Sequence, residues 1–165
     1  MPRRLVFIRH VSSPHSRGVS DYDRPIDEEG RTNSERMARH LNDDEWLPRR
    51  VLCSAAKRAA ETWEAMSSQV DADFEVTFTD MLYSADIEDI CEQIWGLSPD
   101  RRQALLIGHN PGWSDAVSWL TGVRTKMPKG SAALLEVPDA EWSEAVQKRK
   151  CELIELVRPF ELRAD

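Results

Sequence analysis

Cysteine is scarce in this 165-residue sequence: Cys53, Cys91 and Cys151 are its whole complement, widely spaced and odd in number. That pattern argues against a disulfide scaffold and fits reduced thiols, hence a cytoplasmic location. Long apolar runs are lacking too. No stretch approaches the ~20 residues needed to span a bilayer. The N-terminal "MPRRLVFIRH" has neither a long apolar segment nor a small-residue cleavage site, so no signal peptide is expected. Positive charge is not in excess. The formal net charge is −7 and the pI near 5.2, which argues against a nucleic-acid coat or a protein lying on an anionic membrane. Internal repeats, low-complexity tracts and Gly/Ser linkers are absent. What remains is 41% hydrophobic and 31% charged. A chain of this length can bury a core without metals or disulfides, and it reads as one domain over residues 1–165.

Strand-like and helix-like segments alternate along the chain. Strands are expected at 4–9, 49–54 ("RRVLCS"), 74–78 ("FEVTF"), 103–108 ("QALLIG"), 131–137 and 151–157. Helical spacing of apolar residues covers 30–43, 56–70, 86–96 and the segment opened by Asn110 as N-cap and Pro111 at the first helical position. "LVFI" and "ALLI" are unbroken apolar runs, as expected of strands covered on both faces. The order implies a three-layer α/β/α domain with a mostly parallel sheet and helices on both faces. The last two strands have only a polar connection between them, which allows an antiparallel edge.

Functional groups gather at the carboxyl ends of strands in such sheets. Arg9 and His10 follow the first strand, Arg58 lies in the first turn of the helix after the second, and His109 follows "LLIG". If those strands are neighbours, two guanidiniums and two imidazoles share one crevice. Guanidinium forks match phosphate oxygens in pairs. Helix N-termini near Ala56 and Pro111 would add backbone N–H donors. A neutral imidazole can attack phosphorus, with the arginines stabilising charge on the equatorial oxygens. Such chemistry calls for no cofactor and no metal.

The blocks "FIRH", "RPIDEEG", "VLCSAAKRAAET" and "LLIGHNPG", in this order and spacing, resemble the histidine phosphatase superfamily, and within it the small SixA-like phosphohistidine phosphatases. The resemblance runs from Leu5 to about Leu135. It implies that His10 is the phosphorylated nucleophile, that Arg9 and Arg58 hold the phosphoryl group, and that His109 donates to it. Arg24 would sit at the mouth. Ser16 occupies the slot of a phosphate-binding Asn in larger relatives, and Asn110 lies beside His109. These three, with Asp86, are the expected substrate-binding residues. Two departures stand out. Val11 replaces the usual small residue after Arg-His, and no residue plainly matches the Glu acid that larger relatives carry after the third strand. Asp86, Glu88 and Asp89 are the candidates there.

Expulsion of an alkoxide needs a proton from the enzyme, whereas a protonated imidazole leaves readily. The expected function is therefore a phosphatase working through a phosphohistidine intermediate on a phosphohistidine protein. A phosphatase for small phosphorylated metabolites and a non-catalytic phosphate-binding module are the alternatives. A monomer is plausible. Taken singly, each residue has a plainer reading: Arg9-His10 as a solvated strand end, Arg58 paired with Glu61 or Glu64, His109 bonded to backbone. A metal site from His10, His15, Cys53 and His109 matches no zinc spacing, and Arg9 and Arg58 would repel a dication. Cys53 reads as a buried structural thiol, Trp113 as core or pocket wall, and "KRK" (148–150) as a turn.

Overall fold

The computed structural model describes residues 2–137 and 141–162. The strands are β1 (Arg3–Arg9), β2 (Arg50–Ser54), β3 (Glu75–Thr79), β4 (Gln103–Gly108), β5 (Ala132–Val137) and β6 (Glu152–Val157). The helices are α1 (Glu28–Asp43), α2 (Lys57–Ser67), α3 (Ile87–Trp95), α4 (Gly112–Thr121) and the short α5 (Trp142–Ala145). One six-stranded sheet has the order β3-β2-β4-β1-β5-β6. The first four strands in that order are mutually parallel, and β5 runs antiparallel to both β1 and β6.

Side-chain alternation explains the unbroken apolar runs. Leu5, Phe7 and Leu106 face a core closed by Ile90 and Ile94 of α3, Trp113, Val117 and Leu120 of α4, and Trp142 of α5. Val6, Ile8, Leu105 and Ile107 face a second core closed by Met37 and Leu41 of α1 with Trp63 and Met66 of α2. Both faces are covered, so a polar side chain anywhere along Leu5–Ile8 or Ala104–Ile107 would be costly.

Every expected strand is present to within a residue. The polar connection before the last strand differs from expectation, because it carries α5. Trp142 is buried there, donates from Nε1 to the Arg101 carbonyl at 2.9 Å, and lies under the Arg3 guanidinium. Four residues are too short a helix to show a 3.6-residue period. The start of α4 also differs: Pro111 takes the cap position, one residue later than expected. Asn110 still serves the first turn, since its Oδ1 accepts from the Ser114 N–H at 3.2 Å.

Topology sets the site. Strand β4 lies between β1 and β2, with Arg9 level with Gly108 and Cys53 level with Ile107. The loops leaving β1, β2 and β4 therefore start side by side, at the point where the chain's winding reverses.

Candidate active site

His10 stands one residue past β1, and its N–H donates to the Gly108 carbonyl at 3.0 Å. That bond extends the ladder by one step and brings its ring to that of His109, with centroids 5.1 Å apart and planes tilted by 52°. Both residues are buried. His10 Nδ1 lies 2.8 Å from the Val11 carbonyl, which can only accept, so Nδ1 carries the proton. On the other side, Arg58 Nε lies 3.2 Å from His10 Nε2 and can only donate, so Nε2 carries a lone pair. Two independent partners thus fix one tautomer. Burial, above all, pushes the His10 pKa down to about 3, with His109, Arg58 and Arg9 adding repulsion to its charged form.

Arg58 is buried in the first turn of α2. Its Nη1 donates to the Asp21 carbonyl at 2.6 Å and its Nη2 to Asp21 Oδ2 at 3.1 Å. Glu61, one of the partners a surface reading offers Arg58, instead accepts from the Ile26 N–H at 3.0 Å and ties the loop after β1 to α2.

His109 Nε2 lies 2.8 Å from the Ser54 hydroxyl, itself the last residue of β2. Burial first, then the Arg58 charge, pushes the His109 pKa down to about 4. Its Nδ1 is buried without a protein partner, and so is Arg9 Nε, although Arg9 Nη1 donates to the Met127 carbonyl at 3.0 Å. Among the described residues the only other buried side-chain nitrogen or oxygen without a hydrogen bond is His40 Nε2, on α1, which lies 3.6 Å from Asp44 Oδ2. Buried polar atoms are almost always paired, and each orphan costs about 1–3 kcal/mol. One of the three belongs to the histidine pair itself, and a second to Arg9, the residue before His10.

Arg9, His10, Ser54 and Arg58 lie within a stretch matched by a known family pattern, and His109 lies beyond it. The sequence model of the histidine phosphatase superfamily (branch 1) fits residues 5–94. The chain belongs to the histidine phosphatase superfamily. It is 35% identical over 153 residues to an uncharacterised chloroplastic protein of Arabidopsis thaliana, covering 87% of this chain and 70% of that one. The SixA structure from Nakamurella multipartitia superposes with a TM-score of 0.83 at 23% identity, covering 96% of this chain and 97% of that one. The protein histidine phosphatase SixA in complex with tungstate superposes with a TM-score of 0.84 at 20% identity, covering 97% and 99%. At these identities the two structures establish the histidine phosphatase fold.

The other expected residues are distributed unevenly around this cluster. Arg24 is buried, but it donates from Nε and Nη2 to Asp21 Oδ1 and from Nη1 to the Ser13 carbonyl, so it braces the loop after β1. Asn110 lines a cavity of about 430 Å³ beside His109, yet its amide donates to the Met127 carbonyl at 3.0 Å. Asp86 lines the same cavity, and its Oδ1 accepts from the Asp89 N–H at 2.9 Å as the N-cap of α3, with Asp89 returning the bond. Ser16 is exposed on the loop and does not line the cavity.

Val11 does not press on the histidines. Its side chain packs where Gly30 and Gly130 lack one: a Cβ at Gly30 would lie 2.8 Å from Val11 Cγ2, and one at Gly130 3.2 Å from Cγ1. Trp113 is fully buried core, and its indole donates to the Leu106 carbonyl. Cys53 is also buried, which raises its thiol pKa strongly, so the thiol stays protonated. Among the described residues, no group of three or more His, Cys, Asp and Glu side chains is arranged to hold a metal ion, and no helix is long and apolar enough to cross a membrane.

Two site residues escaped the sequence reading. Asp21 joins Arg24, Arg58 and Tyr83, whose hydroxyl donates to Asp21 Oδ2 at 2.6 Å. Tyr83 meets His109 edge to face, with ring centroids 5.5 Å apart. Gly112 makes that meeting possible: a Cβ there would lie 2.1 Å from the Ala85 carbonyl oxygen, so only glycine lets α4 approach the 83–85 loop.

Proposed function

We propose that this protein is a phosphatase that carries the phosphoryl group on His10 Nε2 and acts on phosphohistidine in a protein. The observation that supports this most is the fixed tautomer of His10. A ring held neutral, with Nδ1–H on the Val11 carbonyl and the lone pair on Nε2 facing Arg58, is a nucleophile aimed at an anion-binding group.

The chemistry follows from the donors. A phosphoryl group entering between Arg58 and His10 takes the guanidinium N–H bonds on its oxygens and meets the Nε2 lone pair at phosphorus. Arg9 Nε and His109 Nδ1 gain the partners that the protein does not give them. His109 contributes a donor from Nδ1 when the Ser54 hydroxyl donates to its Nε2. The phosphorylated ring keeps its Nδ1 proton, is therefore cationic, and leaves readily when water attacks. Asp86 is engaged in capping α3, which weakens the reading of a sugar-phosphate phosphatase that needs it as an acid. Val11, which departs from the family's small residue, is seated beside two glycines, which weighs against a site that only binds phosphate.

The test is turnover of a phosphohistidine peptide against sugar phosphates by wild type and His10→Ala. The expected result is release from the peptide many-fold faster, abolished in the variant. Release that persists in His10→Ala contradicts the nucleophile, and a preference for sugar phosphates contradicts the substrate.

A further inference from the structure

Asp21 is placed oddly for a phosphate-binding site. A carboxylate beside a phosphoryl pocket repels the ligand, yet this one is bound to Arg58, the same guanidinium that touches His10. Arg58 meets His10 through Nε and meets Asp21 through its two terminal nitrogens. The nucleophile and the carboxylate therefore stand at different edges of one planar group. About half of the Asp21 side chain remains open to solvent.

The bonds of Asp21 account for its whole capacity. Oδ1 accepts from Arg24 Nε and Nη2, at 3.2 and 3.1 Å. Oδ2 accepts from Arg58 Nη2 at 3.1 Å and from the Tyr83 hydroxyl at 2.6 Å. A carboxylate has about four acceptor positions, and all are filled. The Tyr83 hydroxyl, with Arg24 and Arg58, holds its pKa far below the usual carboxylate range, so Asp21 has no proton to give and cannot act as a general acid.

A phosphoryl group that recruits Arg58 withdraws one donor from Oδ2. The freed position then faces the cavity that Asp21, Tyr83 and His109 line together. Its replacement must donate a hydrogen bond and bring positive charge. The wall beside it is aromatic: Tyr83 packs on His109, and Tyr22 packs edge to face on Tyr83 with centroids 5.1 Å apart. Flat cationic rings suit such a wall.

We propose that Asp21 and Tyr83 form a leaving-group subsite that selects phosphoramidates of a protonated planar ring over phosphate esters. This rests on His10 as the phosphoryl acceptor. The substrate ring enters protonated on the nitrogen that does not bear phosphorus, and that N–H donates to Asp21 Oδ2. The His10 Nε2 lone pair forms the new P–N bond. The old P–N bond breaks, and its electron pair stays on the substrate nitrogen. The ring departs as neutral imidazole with its proton still in place, and the positive charge passes to the His10 ring. No acid is consumed. An ester offers neither the N–H nor the charge, and its developing oxyanion meets a carboxylate.

The experiment compares kcat/KM for a phosphohistidine peptide and for p-nitrophenyl phosphate in wild type, Asp21→Asn and Asp21→Glu. Asp21 opens a short, exposed 3₁₀ turn (Asp21–Asp23) outside both cores, so the variants are expected to fold, and thermal midpoints are read alongside. Loss of a hydrogen bond to a charged group lowers the peptide-to-ester ratio about tenfold or more in Asp21→Asn, and Asp21→Glu recovers a large part of it. Asp21 also braces Arg58, so both activities can fall, but a purely structural role scales them together. A ratio unchanged within about twofold, or a Glu variant as poor as the Asn variant, overturns the proposal. Phosphoenzyme formation at His10, measured in the same samples, separates this outcome from failure of the underlying reading.

Discussion

Arg58 Nε lies 3.2 Å from His10 Nε2, and the hydrogen between them belongs to the arginine. In the proposed mechanism this holds the lone pair of the His10 nucleophile toward the guanidinium that receives the phosphoryl oxygens. A lysine at this place has a single nitrogen and cannot meet His10 and Asp21 at once. Arg58→Lys is expected to lower kcat/KM for a phosphohistidine peptide by about 10²–10³-fold, the usual cost of losing one preorganised donor. A loss below about fivefold contradicts the bridging role.

The two buried histidines link folding to pH. Their pKa values fall from the ordinary 6.5 to about 3 for His10 and about 4 for His109. In the unfolded chain they take protons near 6.5, while in the folded chain they do not. The unfolded state binds more protons in that window, so stability is full above about pH 6.5 and declines as pH drops toward 4. The slope is about 1.4 kcal/mol per pH unit for each histidine. Chemical denaturation at pH 7.5, 6 and 5 measures it, and His109→Asn should roughly halve it. A flat profile across that range contradicts the buried neutral pair.

Ser54 is expected to act through His109. Its hydroxyl lies 2.8 Å from His109 Nε2 and also accepts from the Ala56 N–H at 3.3 Å. Ser54→Ala removes the hydroxyl that meets His109 Nε2 and, by donating to it, leaves the imidazole proton on Nδ1. Turnover should fall about tenfold, mainly in kcat, because the donor from His109 acts on the transferring group. A change confined to thermal stability, with kcat intact, refutes this positioning role.

Much of this was legible in the sequence for a physical reason. The central positions of parallel strands covered on both faces are apolar, so "LVFI" and "ALLI" announce themselves, and Arg9, His10 and His109 are conspicuous at their ends. Asp21 was not legible, since its partners Arg58 and Tyr83 are 37 and 62 residues away and nothing local marks one aspartate in a polar loop. Asp86 drew attention as a possible acid, although the Asp86–Asp89 spacing fits a capping box, which the structure forms. Val11 departs from the small residue that the resemblance implies, and nothing beside it in the sequence marks the glycines that accommodate it, Gly30 and Gly130.

The tautomer assignment makes the most direct prediction. Wild-type protein is mixed with a phosphohistidine peptide, quenched within the first turnover at alkaline pH, and mapped by tandem mass spectrometry and ³¹P NMR. The phosphoryl group should be found on His10 and on Nε2, because Nδ1 is committed to the Val11 carbonyl. Phosphate on Nδ1, or on any residue other than His10, would contradict the account.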